Sequence, residues 1–454
     1  MELTLQVHWE DEWHDAGTIR FHDPKKGLTG RPSFLYETTY TVKALEKLGN
    51  FDSENLIDKM AVGVNLPCHF GGDYLHGEIA PVLRDIIPQG ASRRLWVKMM
   101  SYDRDPEQAI DTDLLAEGCI APIGNLRIKE AAEAFAERLA LAHPGLFTRE
   151  EVCRRADTLI EHAYQLGVAI GGAIGAGGDA PKLLMVETHD DRFGFEGAVP
   201  DKDIKEHWLV KFPRGRKTRA DVDVLMGEAA IYRVLEARGF NSIRNTRLDE
   251  QDGQFTLWMP RFDREIQQGA VIRHGVESIY STMGMIGDGA ALNHSEILER
   301  LREKTTIPEE KDELLAEYIA RDILNFAVGN KDNHGRNTAI LKIGRGIEIA
   351  PAFDVAPMVL DPEGIARTTR WPNELQLKTG APDYPGIIDA HAGDPERVAD
   401  ILKEHLLKLT DLRDDLIENG APESMISAPG VNLTLAETIL VELDELHEKG
   451  PAPR

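Results

Sequence analysis

Apolar and polar residues alternate over Leu3 to Trp9 and again over Thr18 to Phe21, the period of half-buried strands, and a helical stretch follows near Leu83 to Ile87. Residues 1–120 therefore read as a β-rich accessory domain. Ile128 to Leu166 is helix-rich and leads into a glycine-dense segment, after which Leu183 to Val186 and His207 to Phe212 are short apolar, strand-like runs. Ala220 to Gly239 reads as a helix, with Val224, Leu225, Ile231, Tyr232 and Leu235 on one stripe and Gly239 as its stop, and a further strand runs to about Met259. From Pro260 onward the pattern is mainly helical. Leu314 to Val328 feeds into a polar loop, Glu396 to Asn419 is amphipathic with Gly420 as a stop, and Pro451 to Arg454 reads as a frayed tail. The division that results is 1–120, 121–259 and 260–454, with no internal repeat and no low-complexity tract.

Charge narrows the choice of partners. With 52 basic and 77 acidic residues in 454, the net charge is −25, a surface that repels nucleic-acid phosphates, so little direct nucleic-acid binding is expected. The basic stretch Lys211 to Arg219 is a local exception; it either engages phosphates or an acidic partner or is a solvated loop. Three cysteines without a C-x-x-C suggest neither a zinc site nor a disulfide framework. The opening MELTLQVHWEDEW lacks a basic and an apolar region, and nowhere do eighteen apolar residues run together; a cytoplasmic protein off the membrane is expected. His8, His14, His22 and His69 show no ligand spacing, and Trp208 and Trp258 read as core.

The chemistry concentrates in Asn325 to Asp354. Asp332 and Asn337 stand in a D-x-x-x-x-N spacing, followed by a β-like run from Asn337 to Lys342 and, after a second one, Asp354. A phosphoryl-transfer site needs these parts in this order: Asp332 to orient the acceptor hydroxyl and take its proton, Asn337 and Asp354 to hold a Mg²⁺ that bridges the phosphates of ATP. Upstream, Lys211 ends an apolar run as a strand lysine that meets nucleotide phosphates does. Glu228 lies on the apolar stripe of the 220–239 helix, where a carboxylate is costly unless paired, and Lys211 is its expected partner; a side chain that reaches out to solvent is the alternative. Five glycines among residues 171–178 let backbone N–H groups approach phosphate oxygens, which makes Ala176, Gly177 and Gly178 candidates for a phosphate cradle; a hinge is the alternative. His334 either positions the loop, touches the phosphates or is structural.

These residues give the chain a family resemblance: it resembles the HipA-family serine/threonine kinases, the toxins of bacterial type II toxin–antitoxin systems. Asn330, Asp332, His334, Arg336 and Asn337 match an N-x-D-x-H-x-[KR]-N signature, and Pro351, Phe353 and Asp354 match the metal aspartate in its context. Asp179 to Lys182 resembles a G-x-x-P-K loop, Lys211 falls on the nucleotide lysine, and Met259 to Arg264 matches an R-F-D-R hinge whose backbone, at Pro260 and Phe262, meets the adenine. Val7 to Tyr40, with Ser33-Phe34-Leu35-Tyr36, is similar to the small N-terminal domain of that family. The resemblance implies an α+β, two-lobed protein-kinase-like fold with a mainly helical C-terminal lobe. It implies ATP and Mg²⁺ as cofactors, a protein substrate such as an aminoacyl-tRNA synthetase, and a cognate antitoxin able to bind DNA. Two features depart from the pattern: no Ser or Thr lies between Gly167 and Lys182, where family members often carry a self-inactivating serine, and Lys331 and Gly335 replace commoner residues. Control by a partner protein is the expectation. A small-molecule phosphotransferase and a catalytically silent pseudokinase are the competing readings.

Overall fold

The computed structural model describes residues 1–49, 59–100, 110–120, 122–142, 145–154, 159, 163, 180–214, 218–287, 289–305, 308–343 and 346–449. They group into two compact units, one of Met1–Gly215, Leu248–Asp288 and Ala339–Ala350, the other of Arg216–Arg247, Gly289–Thr338 and Pro351–Arg454.

The first unit opens with β1 (Glu2–Trp9), β2 (Glu12–Arg20), β3 (Ser33–Tyr36), β4 (Asp73–Tyr74) and β5 (Leu126–Ile128), hydrogen-bonded in the order β4-β3-β2-β1-β5. Alternation along β1 sends Leu3, Leu5, Val7 and Trp9 into the core. On its other face the buried Gln6 donates to Asp15 Oδ1 at 2.6 Å and accepts from Arg127 Nε at 2.7 Å. His8 is pulled down to about 2 by burial and then by Arg273, so the neutral ring accepts from Arg273 Nη1 at 3.0 Å. A second five-stranded sheet follows the order β7-β6-β8-β10-β9, from β6 (Lys182–Thr188), β7 (Phe193–Phe195), β8 (Ile204–Lys211), β9 (Arg247–Gln251) and β10 (Gln254–Pro260). All seven residues of β6 are buried, and Trp208 packs edge-on to Trp258 with ring centroids 6.0 Å apart, both as core residues.

Beyond Pro260 the chain is richer in strands than its hydrophobic pattern suggests. β11 (Arg264–Gln267) pairs with β12 (Ala270–Arg273), and β13 (Gly275–Ser278) pairs through β15 (Ala339–Ile343) with β16 (Gly346–Ile349), all in the first unit. β14 (Leu292–Asn293) and β17 (Thr369–Arg370) form a short parallel pair in the second unit. Strands of two to five residues are too short to establish a period, which is why a mainly helical segment was expected.

A buried ionic cluster sits where β10 ends. Arg261 Nη2 meets Asp263 Oδ2 at 2.7 Å, Arg264 Nη1 meets the same oxygen at 2.6 Å, and Glu196 Oε2 lies 3.4 Å from Arg261 Nη1 and 2.8 Å from His207 Nδ1. The cluster also binds backbone: Gly124 N–H donates to Asp263 Oδ2 at 2.7 Å, Arg264 Nη1 donates to Gly124 O at 2.9 Å, and Arg261 Nη2 donates to Pro122 O at 3.1 Å. Burial alone raises a carboxyl, but Arg261 and Arg264 outweigh it and bring Asp263 down to about 2. The same guanidiniums, with His207, hold Glu196 below the usual carboxylate range against the effect of burial.

The second unit is mainly helical, as expected. Thr218 and Asp221 form a reciprocal capping box that starts the helix Arg219–Ala237, and Gly239 turns left-handed at φ +66° beyond it. The helix Pro308–Ala327 buries Leu315, Ile319, Ile323 and Leu324 and packs against the helices Pro395–Leu407 and Leu435–Lys449. The amphipathic stretch expected over Glu396 to Asn419 is broken: one helix ends at Leu407 and the next spans Leu412–Glu418. Asp411 sits between them at φ +52°, its N–H donating to Glu437 Oε1 at 2.8 Å. Among the described residues, no helix is long and apolar enough to cross a membrane, and Cys68, Cys119 and Cys153 are buried free thiols.

Asp263→Ala leaves two guanidiniums buried with one carboxylate, a loss of about 3–5 kcal/mol for a broken buried pair. Because the carboxyl of Asp263 is depressed from 3.8 to about 2, its contribution is complete above the unfolded value and lost as pH falls through the folded one. Acid titration monitored by tryptophan fluorescence should show the wild-type first unit weakening between about pH 4 and pH 2 and the variant lacking that component.

Candidate active site

The helix Pro308–Ala327 delivers the loop that carries the candidate base. Asn325, in its last turn, donates to Arg321 O at 2.8 Å and accepts from Asn330 Nδ2 at 2.7 Å. Gly329 makes the exit at φ +70°, and a Cβ there would lie 2.8 Å from Val359 Cγ1, so only glycine fits. Asn330 then works in two directions: its Oδ1 accepts from Asp332 N–H at 3.1 Å and its Nδ2 donates to Asp354 O at 3.3 Å. One amide thus fixes the backbone of Asp332 and that of Asp354, which sits at φ +54°.

Asn337 closes the loop from the other side. Its Nδ2 donates to Asp332 O at 2.6 Å, which settles which end of the amide points where, and its Oδ1 is buried with no hydrogen-bond partner. Arg336 N–H donates to His334 Nδ1 at 3.2 Å, so a neutral His334 carries its proton on Nε2, 3.7 Å from Asp332 Oδ1. Asp332, His334, Asn337 and Asp354 are therefore gathered by one network in the second unit. An oriented, unpartnered amide oxygen beside a carboxylate segment is a fit for a hard cation, which accepts carbonyl oxygens and few carboxylates when phosphates and water complete its shell. Among the described residues no three His, Cys, Asp or Glu side chains gather as a cage, and the acceptor this network leaves over is Asn337 Oδ1.

Glu228 lies in the helix Arg219–Ala237 with no exposed surface, and Tyr232, one turn on, donates its hydroxyl to Glu228 Oε1 at 3.2 Å. The same hydroxyl accepts from Val355 N–H at 3.3 Å, next to Asp354. Burial, and then the charges of Glu228 and Asp354, hold the Tyr232 phenol well above its usual value, so it stays protonated as this bridge requires. A Cβ on Gly227 would lie 2.6 Å from Pro357 Cγ, so glycine lets the helix approach the segment after Asp354. The hydrophobic pattern puts Glu228 and Tyr232 on one stripe, and their i,i+4 spacing is the sequence sign of the contact.

In the first unit, Lys182 and Lys211 are direct cross-strand partners in β6 and β8, both more than nine-tenths buried. Side chains at opposed positions share one face about 4.5–5.5 Å apart at Cβ, so the pairing sets the two lysines side by side on the sheet. Pro260 ends β10 opposite Trp208; Pro260 and Phe262 are half-buried while Arg261, Asp263 and Arg264 point into the ionic cluster. Lys211 and Glu228 belong to different units. Ala176, Gly177 and Gly178 lie outside the described residues, as does the stretch without Ser or Thr around them.

Fold and loop together define an α+β chain of the kinase-like class. The chain belongs to the HipA family: the family model described as the HipA-like C-terminal domain matches residues 174–411, more than half of it. A chain in the Shewanella oneidensis MR-1 toxin–antitoxin complex of HipA, HipB and operator DNA shares the fold with a TM-score of 0.58 at 14% identity, over 98% of this chain and 97% of that one. The Helicobacter pylori proinflammatory kinase CtkA is matched with a TM-score of 0.35 at 14% identity, over 57% of this chain and 97% of that one. No curated protein matches the sequence.

Tyr232→Phe keeps the ring and removes the bridge, leaving the buried Val355 N–H without the hydroxyl. Urea denaturation should read a loss of about 1–3 kcal/mol for the second unit. A stability equal to wild type would mean that the bridge contributes nothing.

Proposed function

We propose that this chain is an ATP- and Mg²⁺-dependent serine/threonine protein kinase of the HipA toxin type. The observation that carries the reading is the buried, unpartnered Oδ1 of Asn337, aimed by the bond of its own amide to Asp332 O, in the loop whose Asn330 also holds Asp354. A buried polar atom without a partner costs about 1–3 kcal/mol, and a ligand that supplies the partner removes that cost. Asn337 and Asp354 would hold the metal, whose chemistry when bound is to neutralise charge on the transferring phosphoryl group. Asp332 orients the acceptor hydroxyl and takes its proton, while His334 steadies the loop. Lys182 and Lys211 bind phosphate oxygens, Ala176, Gly177 and Gly178 approach them with backbone N–H groups, and the half-buried backbone at Pro260 and Phe262 meets the adenine. As a proline, Pro260 can offer only its carbonyl. Glu228 is the partner of Lys211 in this proposal, and the three-part division at residues 120 and 259 belongs to it as well.

The family relation supports a host protein as substrate, an aminoacyl-tRNA synthetase or another translation component, acted on in the cytoplasm. The complex of HipA with HipB and operator DNA supports an antitoxin partner for this chain, with DNA contacted chiefly by that partner, since a net charge of −25 disfavours phosphate contact here. With no hydroxyl in residues 167–182, control rests on that partner.

Incubating the full chain with labelled ATP and a bacterial extract should label protein bands. Labelling of small molecules alone would make it a small-molecule phosphotransferase, and nucleotide binding without any transfer a pseudokinase. Asp332→Ala and Lys211→Ala should each lower transfer by about 10²–10⁴-fold with folding intact; near-normal turnover in either sinks the assignment.

A calorimetric Mg²⁺ titration should show binding heat with a non-hydrolysable ATP analogue and little without it, and Asn337→Ala should weaken the former. Tight Mg²⁺ binding by the nucleotide-free protein would count against the assigned donors.

A further inference from the structure

The second unit holds a pocket of about 180 Å³, room for a single side chain, that the roles assigned so far do not use. Phe326 and Trp371 give it apolar walls, and Arg367, Thr369 and Arg370 give it polar ones. Its place is set by Arg367. That guanidinium stacks over the Phe326 ring at 3.7 Å and donates from Nη2 to Asn330 O at 3.0 Å. Asn330 is the residue whose amide holds the backbone of Asp332 and of Asp354, so Arg367 links the pocket to the loop of the candidate base.

The charge of Arg367 is already balanced. Its Nη1 donates to Asp322 Oδ1 at 3.1 Å, and the other carboxylate oxygen of that buried residue accepts from Trp371 Nε1 at 2.9 Å and Tyr384 OH at 3.2 Å. His294, also lining the pocket, is pushed down to about 4 by burial and brings no charge at neutral pH. Two groups are left over. Arg370 is exposed, donates from Nε to Arg367 O at 3.2 Å, and has no carboxylate in ion-pair reach among the described residues. Thr369 is 4% exposed, and its hydroxyl, able to donate or accept, is buried without a partner. An incoming carboxylate pairs with Arg370, and an apolar or cationic group does not; the Thr369 hydroxyl, able to donate or accept, does not itself select for charge.

We propose that this pocket binds an acidic side chain of the protein substrate, a Glu or Asp at a fixed distance from the acceptor hydroxyl, and so selects which hydroxyl meets Asp332. The proposal rests on the kinase reading above. In a chain of net charge −25, a cation without an internal counter-charge beside the reaction centre also steers such a segment toward it.

The test uses the full chain with Mg·ATP and degenerate peptides carrying one Ser, with Glu, Gln or Lys fixed at each flanking position in turn. At one position Glu should exceed Gln by about ten- to a hundredfold in kcat/KM, the range of a hydrogen-bonded charge against a neutral amide. Arg370→Ala should remove that preference and Arg370→Glu should turn it toward Lys, both with unchanged affinity for ATP; Thr369→Val should narrow it. If folded proteins of an extract are labelled but peptides are not, phosphosite mapping gives the same readout: an acidic residue at a constant offset with wild type, absent with Arg370→Glu. Equal use of Glu, Gln and Lys, or a preference that survives Arg370→Ala, overturns the pocket's role and leaves the kinase standing. Nucleotide binding with no labelled peptide or protein overturns both.

Discussion

Two guanidiniums and two carboxylates, all buried where β10 ends, set the organisation of the first unit. Each charge taken from water costs several kcal/mol, and the attraction offsets this only when geometry is good and the remaining donors are used. Here they are used on backbone: Pro122 O and both groups of Gly124 belong to the stretch leading into β5, so the N-terminal sheet is tied to the turn after β10 by the same ions. The arrangement needs arginine. A forked guanidinium serves a carboxylate and a carbonyl together, which a lysine's single ammonium does less well. With Arg261, Asp263 and Arg264 turned inward, alternation leaves Pro260 and Phe262 half-buried. Whatever those two residues present to a ligand is therefore a consequence of the ions behind them.

The second unit reaches a comparable rigidity with neutral amides. Asn325, Asn330 and Asn337 each donate to a carbonyl oxygen of the chain or of another amide, which fixes every one of their orientations. Aspartate at 337 could supply the oxygen but not the donor that fixes Asp332 O, so asparagine is the residue that both shapes the loop and leaves an acceptor over. Tyr232 extends the same logic to the helix: one hydroxyl donates to Glu228 and accepts beside Asp354, so the helix and the segment after Asp354 share a fixed point.

Part of this was legible in the sequence. The D-x-x-x-x-N spacing locates the loop that Asn330 and Asn337 hold together, and the short, largely apolar runs at Leu183 to Val186 and His207 to Phe212 fall in the strands β6 and β8 or at their ends. The α+β class follows from the same runs and the family relation bears it out. Other parts leave no trace in a periodicity. Leu409, Leu412 and Leu416 keep one apolar stripe across the break at Asp411, so the pattern reads through a turn that the backbone makes. The grouping of residues 339–350 with the N-terminal unit depends on contacts far apart in sequence, and β13 and β15 pair across about sixty intervening residues that no local signal connects. Arg367 is another such case: it lies well beyond Asn337, and only the fold brings its guanidinium to Asn330 O.

Charge is where whole-chain composition and local structure diverge most. A net charge of −25 describes an acidic surface, yet exposed charges act only over about 8 Å at physiological ionic strength. Within that range the arrangement counts, not the sum. Lys182 stands opposite Lys211 in the strand pair of β6 and β8, which places two buried lysines on one face of a sheet in an otherwise acidic chain. An acidic chain can thus bind anions at selected points while repelling them in general. The net charge bears on encounter with an extended polyanion, and the local arrangement on what a compact anion meets at contact.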